Sequence, residues 1–452
     1  MQKLITKYGL AAHLAFLAMA PLFLSPVYVL WLSLLGVTWL VMEPSRIGDE
    51  MLHDARYRVF SQFMRDPLFW MLLLIVVYTG ARWLNGGVGM AYDAESGSWF
   101  LRGPAVPWFP GSALAAGGSE FAVSIVLFVV VSGCRVALGK SARQAFLFIL
   151  SVLTGLMALV MAYLYYDGLA IVRSLAVFEV RTPIHVGMVF GLGTLAATAT
   201  MIYAFERAWR TAIFMLMLAF AANLAGLLVF APVWTVAAFL VAEVLLFLFS
   251  FVYAKLSIGE SNEFKFLVSI GLGLALAGVT AVSVVSEKPL LAKAEAVQAK
   301  KIFSPEYQSA SATLSKVSQR AWKAHPWIGT GIGAFTHGIR FFAQDEDWKT
   351  IQPDQAYALN GYWQVLVERG IVGAFVMLCP LAFLLFTYFR RLVSGVCCRL
   401  PPPSAWLGLL ALPVVLVLTA ADCSFFYPGV PVLMAAILAI SANSFPKEMS
   451  HG

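Results

Sequence analysis

Charge is scarce in this chain: only 12% of its 452 residues are Asp, Glu, Lys or Arg. Soluble domains carry about 25%, so this composition cannot cover a water-facing globular surface. Cysteine is scarce too. Cys134, Cys379, Cys397, Cys398 and Cys423 show no metal-ligand spacing, and the pair at 397–398 lies among Arg390, Arg391 and Arg399 on a segment read as cytoplasmic. Thiols there stay reduced, so neither a disulfide nor a metal site is expected. No Walker motif is present, and no glycine fingerprint follows a strand, so no nucleotide, cofactor or nucleic-acid partner is expected. The alternating strands of about 10 residues that mark a membrane barrel are also missing.

Hydrophobicity is what the chain has in abundance: 60% of residues are apolar and mean hydropathy is +0.81. Apolar runs near 20 residues recur from Tyr8 almost to the C-terminus, each suited to a helix crossing about 30 Å of hydrocarbon. The expected fold is therefore all-α: a polytopic membrane protein with about 12 transmembrane helices. The spans centre near 9–24, 27–42, 67–84, 120–138, 145–164, 184–204, 211–229, 233–254, 266–286, 364–389, 405–421 and 429–443. Near the N-terminus, Ala18-Met19-Ala20 imitates a secretory cleavage site. Pro21 and the apolar continuation to Met42 favour instead a helical hairpin turning at Ser25-Pro26.

Alternate connecting segments differ in charge. One set carries Lys3, Lys7, Arg46, Arg56, Arg58, Arg65, Arg135, Lys140, Arg143, Arg207, Arg210, Lys255, Lys265, Arg390, Arg391, Arg399 and Lys447. The short segments of the other set carry Arg82, Arg102, Arg173 and Arg181. The positive-inside rule then puts both termini in the cytoplasm. Four regions follow: spans one to five over 1–169, spans six to nine over 170–286, one large outer, periplasmic helical loop over 287–361, and the last three spans over 362–452. The large loop holds nine Lys/Arg and seven Asp/Glu. Lys288 to Lys301 and the stretch after Tyr307 read as helical. A second outer loop, 86–118, is rich in Gly, Pro and Trp, aromatics suited to a membrane interface. Inner loops are short, so any chemistry is expected outside.

Two motifs stand out. In His325-Pro326-Trp327-Ile328-Gly329-Thr330-Gly331-Ile332-Gly333-Ala334-Phe335, three alternate glycines free the backbone to turn and to aim N–H groups at an anion. A bland turn over the membrane surface is the competing reading. In the stretch Tyr357 to Gly373, Asn360, Gln364 and Glu368 recur every four residues and form a polar stripe on a helix. Polar groups at the mouth of a span line cavities, because lipid exposure is costly. Here the competing reading is an interfacial helix end, with Glu368 paired to Arg369 or to a neighbouring helix.

The pattern P-x-x-G-x-G-x-G-x-F, followed by N-x-Y-x-Q-x-L-x-E-x-G-x-x-G opening the next span, resembles the O-antigen ligase superfamily. This superfamily includes O-antigen ligases, polysaccharide polymerases and protein O-oligosaccharyltransferases. Arg181-Thr182-Pro183-Ile184-His185 is similar to the family's short outer motif at a mid-chain span. The likeness covers roughly residues 170–390. It implies a bacterial inner-membrane enzyme that transfers a glycan from a polyprenyl-pyrophosphate-linked donor to a hydroxyl of a lipid or glycan acceptor, without metal or cofactor, amid membrane lipids. Outer arginines would hold the pyrophosphate and a histidine would activate the acceptor.

The chain departs from that pattern at three places. Leu359 stands where the family has histidine, Ala231-Pro232-Val233-Trp234 lacks the family arginine, and Ser311 occupies another arginine slot. Substitutes are sought among the outer arginines Arg82, Arg102, Arg173, Arg181, Arg320, Arg340 and Arg369. The expected catalytic set is His337, His325, Arg320 and Glu368, with Asp354 a further replacement. The expected substrate-binding set is Arg173, Arg181, His185, Gly329, Gly331, Gly333, Asn360 and Gln364. A repeat-unit polymerase is the alternative within the superfamily. A catalytically inactive scaffold or a glycolipid transporter is the alternative outside enzyme chemistry.

Overall fold

The computed structural model describes residues 2–42, 60–93, 95–166, 183–258, 305–335, 341–351, 358, 360–396, 402–421 and 429–444. Its elements are α1 (Gln2–Met19), α2 (Pro26–Met42), α3 (Pro67–Leu84), β1 (Gly89–Asp93), β2 (Ser98–Arg102), α4 (Leu114–Ser132), α5 (Lys140–Tyr166), α6 (Pro183–Glu206), α7 (Arg210–Phe230), α8 (Val233–Ile258), α9 (Pro305–Ala324), α10 (Gly361–Val396), α11 (Pro403–Ala421) and α12 (Val430–Ala442). Among the described residues seven helices are long and apolar enough to cross a membrane, and four more are apolar but shorter. All of them fall on stretches read as spans. The stretch 266–286 and the expected helix Lys288 to Lys301 lie outside the described residues.

Proline sets several of the starts. At α3, Asp66 accepts from the Leu68 N–H at 3.3 Å and Pro67 follows, a cap whose fixed φ suits the first helical turn. α2, α6, α9 and α11 also begin on proline. Small and hydroxylated residues fill α6, which is the central helix: 89% of its most apolar window is buried inside the protein. Close backbone approach of this kind is how helices associate where no hydrophobic force separates protein from lipid.

The chain reverses at each short connection, so helix ends collect at two opposite poles. One pole gathers arginines around the C-terminus of α12. Arg143 donates to the Asn443 carbonyl at 2.8 Å, Arg391 to the Ala442 carbonyl at 2.6 Å, and Arg135 pairs with Asp66 at 2.5 Å. Guanidiniums at a helix C-terminus offset the negative end of its dipole. The opposite pole carries α9 and the loops packed around it. Helix α9 buries Leu314, Val317 and Ala321 against Phe335, Ile351, Ala358 and Val367, with Trp322, Trp348 and Trp363 packed at the edge.

The loop over 86–118 holds one feature not read from its Gly/Pro/Trp content. β1 and β2 form an antiparallel hairpin in which Tyr92 faces Trp99 and Asp93 faces Ser98. Asp93 accepts from Ser96 and from the Glu95 N–H, closing the turn. Those bonds, the Ser96 hydroxyl foremost, hold the Asp93 carboxyl below its ordinary pKa.

Candidate functional site at a broken helix

Helix α10 is not continuous. Gly370 has φ 62° and ψ −170°, a backbone no ordinary helix contains, so α10 consists of residues 361–369 and 371–396 joined at a break. A break exposes carbonyls on one side and N–H groups on the other, and each would be costly if left unpaired away from water. The glycine motif supplies the partners. Thr330 N–H donates to the Val367 carbonyl at 2.8 Å and Gly331 N–H to the Glu368 carbonyl at 3.1 Å. In return, Ile371 N–H donates to the Pro326 carbonyl at 2.9 Å and Val372 N–H to the Trp327 carbonyl at 3.1 Å.

This lacing requires backbone to lie on backbone. A Cβ on Gly329 would come within 2.5 Å of the Glu368 carbonyl carbon, and one on Gly370 within 2.4 Å of the Trp327 oxygen. Gly329, Gly331 and Gly333 all have positive φ as well, a region costly for residues with a side chain.

The N–H groups read as aimed at an anion are engaged within the protein. Gly329 donates to the His325 carbonyl, Ile332 to Gly111 and Gly333 to the Glu368 carboxylate at 3.0 Å. The motif is the clasp of the break, and the Glu368 side chain is part of it.

Four charged or phenolic groups close the joint from the side. Arg82 is fully buried; its guanidinium donates to the Glu368 carbonyl at 2.6 Å, to the Gly111 carbonyl and to the Tyr78 hydroxyl. Arg369 pairs with Glu120 of α4 at 2.8 Å, with side-chain exposures of 5% and 14%. Taking one partner from such a buried pair leaves an uncompensated charge and costs about 3–5 kcal/mol. The sequence offers Arg82 and Arg369 as outer arginines, with Arg369 also a candidate partner of Glu368, and does not single out Glu120 or Tyr78. The available signal was depth: opposite charges near the same ends of two apolar helices, where charge persists only if paired.

Around this joint the other expected residues take these places. Asn360 caps α10, accepting from the Tyr362 N–H at 3.0 Å and Trp363 N–H at 3.2 Å, and donates to the Ala420 carbonyl. Gln364 is buried and accepts from the Ala358 N–H at 2.9 Å. Arg320 forms an ion pair with Asp347. Burial pushes the Asp347 carboxyl up, but the Gln344 N–H at 2.8 Å and the Arg320 guanidinium outweigh it and hold the pKa below the ordinary value. His325 is exposed just beyond the end of α9, its ring edge-on to Phe342. His185 sits apart, fully buried in the first turn of α6. Arg173, Arg181, His337, Arg340, Asp354 and Leu359 lie outside the described residues. Among the described residues no group of three His, Cys, Asp or Glu is placed to hold a metal.

The structure thus joins Gly329, Gly331, Gly333 and Glu368 at the break, with Asn360 and Gln364 at the start of the same helix, Arg320 on α9 and His325 just past its end. No protein-family model matches the chain, and no curated protein matches it.

Proposed function

We propose that the chain is a bacterial inner-membrane glycan ligase of the O-antigen ligase type, with twelve spans, both termini cytoplasmic and the joint facing the periplasm. The observation that carries this reading is the lacing of the glycine motif into the break at Gly370. Two of the three sequence blocks that bear the resemblance pack together as one structural unit. The orientation rests on the arginine-rich pole, which the positive-inside rule assigns to the cytoplasm.

In this reading a polyprenyl-pyrophosphate glycan lies with its phosphates at the headgroup level of the joint. Attack of an acceptor hydroxyl on the anomeric carbon releases the polyprenyl pyrophosphate, whose growing charge needs guanidinium forks. Arg320 is the candidate on the described surface, since its side chain is 31% exposed in its pair with Asp347. Arg173 and Arg181 would assist. Removal of the hydroxyl proton falls to His325 or His337. Arg82 and Arg369 hold the joint and do not touch substrate.

Leu359 in the slot of the family histidine keeps a second reading in play, an inactive scaffold for envelope-polysaccharide assembly. The deciding experiment is transfer of a labelled lipid-linked glycan in membranes containing the protein. Product that depends on His325 or His337 supports the ligase. No product under conditions in which the protein is folded and a range of lipid-linked donors is supplied returns it to the scaffold reading.

A further inference from the structure

The hairpin of β1 and β2 leaves one face without a partner among the described residues. Side chains alternate across a strand, so Tyr92 and Trp99 share one face by register. Asp93, Ser98 and Arg102 share the other with Phe100. The Tyr92 and Trp99 rings pair across the strands at 5.3 Å, yet are 55% and 58% exposed. Neighbouring large side chains are exposed too: Leu84 by 83%, Trp108 by 80% and Leu114 by 69%.

Leu84 and Leu114 identify what meets this surface. They are the last residue of α3 and the first of α4, two helices long and apolar enough to cross a membrane. Along α3, Trp70, Leu74 and Val77 are also exposed at helical spacing, an apolar stripe that suits lipid and not water. The stripe ends at Leu84. β1 starts five residues later, a reach of at most about 18 Å. At its base the hairpin is held by hydrogen bonds of Val88 to Ser112 and Ala105 to Gly86, so it leaves the protein at the level where hydrocarbon gives way to headgroups. Tyr and Trp on one face, with the charges of Asp93 and Arg102 on the other, is the composition that belongs in that layer.

We propose that the hairpin lies on the lipid headgroup layer as a monotopic paddle, with Tyr92 and Trp99 facing the bilayer and Trp108 anchoring the return loop. The return loop is also keyed into the joint. Gly111 accepts from Ile332 and Arg82, and the Ala113 N–H donates to Ile332 at 2.8 Å. The paddle therefore sets the height of the joint relative to the membrane surface. The proposal rests on the membrane placement of α3 and α4 and not on ligase chemistry.

The test uses the full chain in phospholipid nanodiscs, with its five cysteines replaced and one nitroxide label at Tyr92→Cys, Trp99→Cys, Ser98→Cys or Val77→Cys. Collision of each label with oxygen, enriched in lipid, is compared with collision with a water-soluble nickel chelate. Labels at 92 and 99 should be severalfold more oxygen-accessible and nickel-protected than the label at 98. Val77 on α3 is the control for the membrane placement: nickel access there overturns that placement itself, and the proposal with it. With the control satisfied, nickel access at both 92 and 99 overturns the paddle. Protection from both reagents assigns the face to protein and overturns it, as does spin–spin broadening between copies, which assigns it to a second chain. A second measurement spares the cysteines. Lipids brominated near the headgroup should quench the native tryptophan emission more than that of Trp99→Phe/Trp108→Phe, and equal quenching counts against the paddle.

Discussion

The guanidinium of Arg82 donates at 2.6 Å to the backbone carbonyl of Glu368, 286 residues further along the chain. That bond ties α3 to the last turn before the break in α10, and the same guanidinium holds the Gly111 carbonyl beside it. One side chain thus gives a second, charged donor to two carbonyls that already accept from the Gly331 and Ile332 N–H groups. Arg82→Met should destabilise the protein by about 1.5–3 kcal/mol for each charge-assisted hydrogen bond lost, the two carbonyls keeping their backbone N–H partners. Thermal unfolding in detergent would register this, and an unchanged midpoint would remove Arg82 from the joint.

Glu120 and Arg369 provide a charge-coupled check. Glu120→Gln should lower stability by about 3–5 kcal/mol because Arg369 stays buried and charged. Adding Arg369→Gln should recover part of that loss, since the uncompensated charge is gone. A double variant as unstable as the sum of the singles would mean that the two residues do not interact.

The glycines of the clasp should be intolerant of side chains. Gly331→Val or Gly333→Val is expected to abolish transfer while the protein still inserts into the membrane, given positive φ at both positions. Gly370→Ala should act more strongly, because its Cβ would strike the Trp327 backbone. Gly103, with open space around it, is the control: Gly103→Ala should behave as wild type. Equal tolerance at 103 and 331 would reduce the motif to a surface turn.

Arginine chemistry separates substrate contact from scaffolding. Arg320→Lys keeps charge and loses the bidentate fork, so transfer should fall by about one to three orders of magnitude if Arg320 meets the pyrophosphate. Arg340→Lys should cost little. Loss of similar size in both, or in neither, leaves the donor to Arg173 and Arg181.

The Arg320–Asp347 pair also predicts a response to acid. The folded carboxyl titrates below its ordinary value, so the pair's stabilisation is present above the unfolded carboxylate pKa of about 3.9. It is lost as pH falls through the lower, folded value. Proteolysis of the α9 region, followed from pH 6 downward, should accelerate at the acid end in the wild type. Asp347→Asn should cleave faster already at neutral pH, with a flatter profile. Identical profiles would dismiss the pair as a stabilising contact.

Orientation is open to direct labelling. A membrane-impermeant reagent should reach cysteines placed in 287–361 from outside intact cells, and should not reach Cys397 or Cys398. External labelling of that native pair would invert the orientation argued from charge.

What the sequence determined by itself is the helical, membrane-crossing character and most helix positions, because length and apolarity are properties of contiguous residues. The four-residue spacing of Asn360, Gln364 and Glu368 was equally legible, since helical periodicity is local. The break at Gly370 was not. A positive φ at a glycine inside an apolar run leaves no mark in the sequence until another segment fills the gap. The pairing of Arg82 with the Glu368 carbonyl, and of Glu120 with Arg369, joins residues hundreds of positions apart. Only the packing of α3, α4 and α10 brings them together. The hairpin was missed for a related reason: its pairing depends on a register between two five-residue strands too short to announce themselves by alternation. Tertiary structure also redirected the glycine motif, from a cradle for an outside anion to the clasp of a broken helix, because the carbonyls it meets belong to a helix that begins about 30 residues later in the chain and folds back onto it.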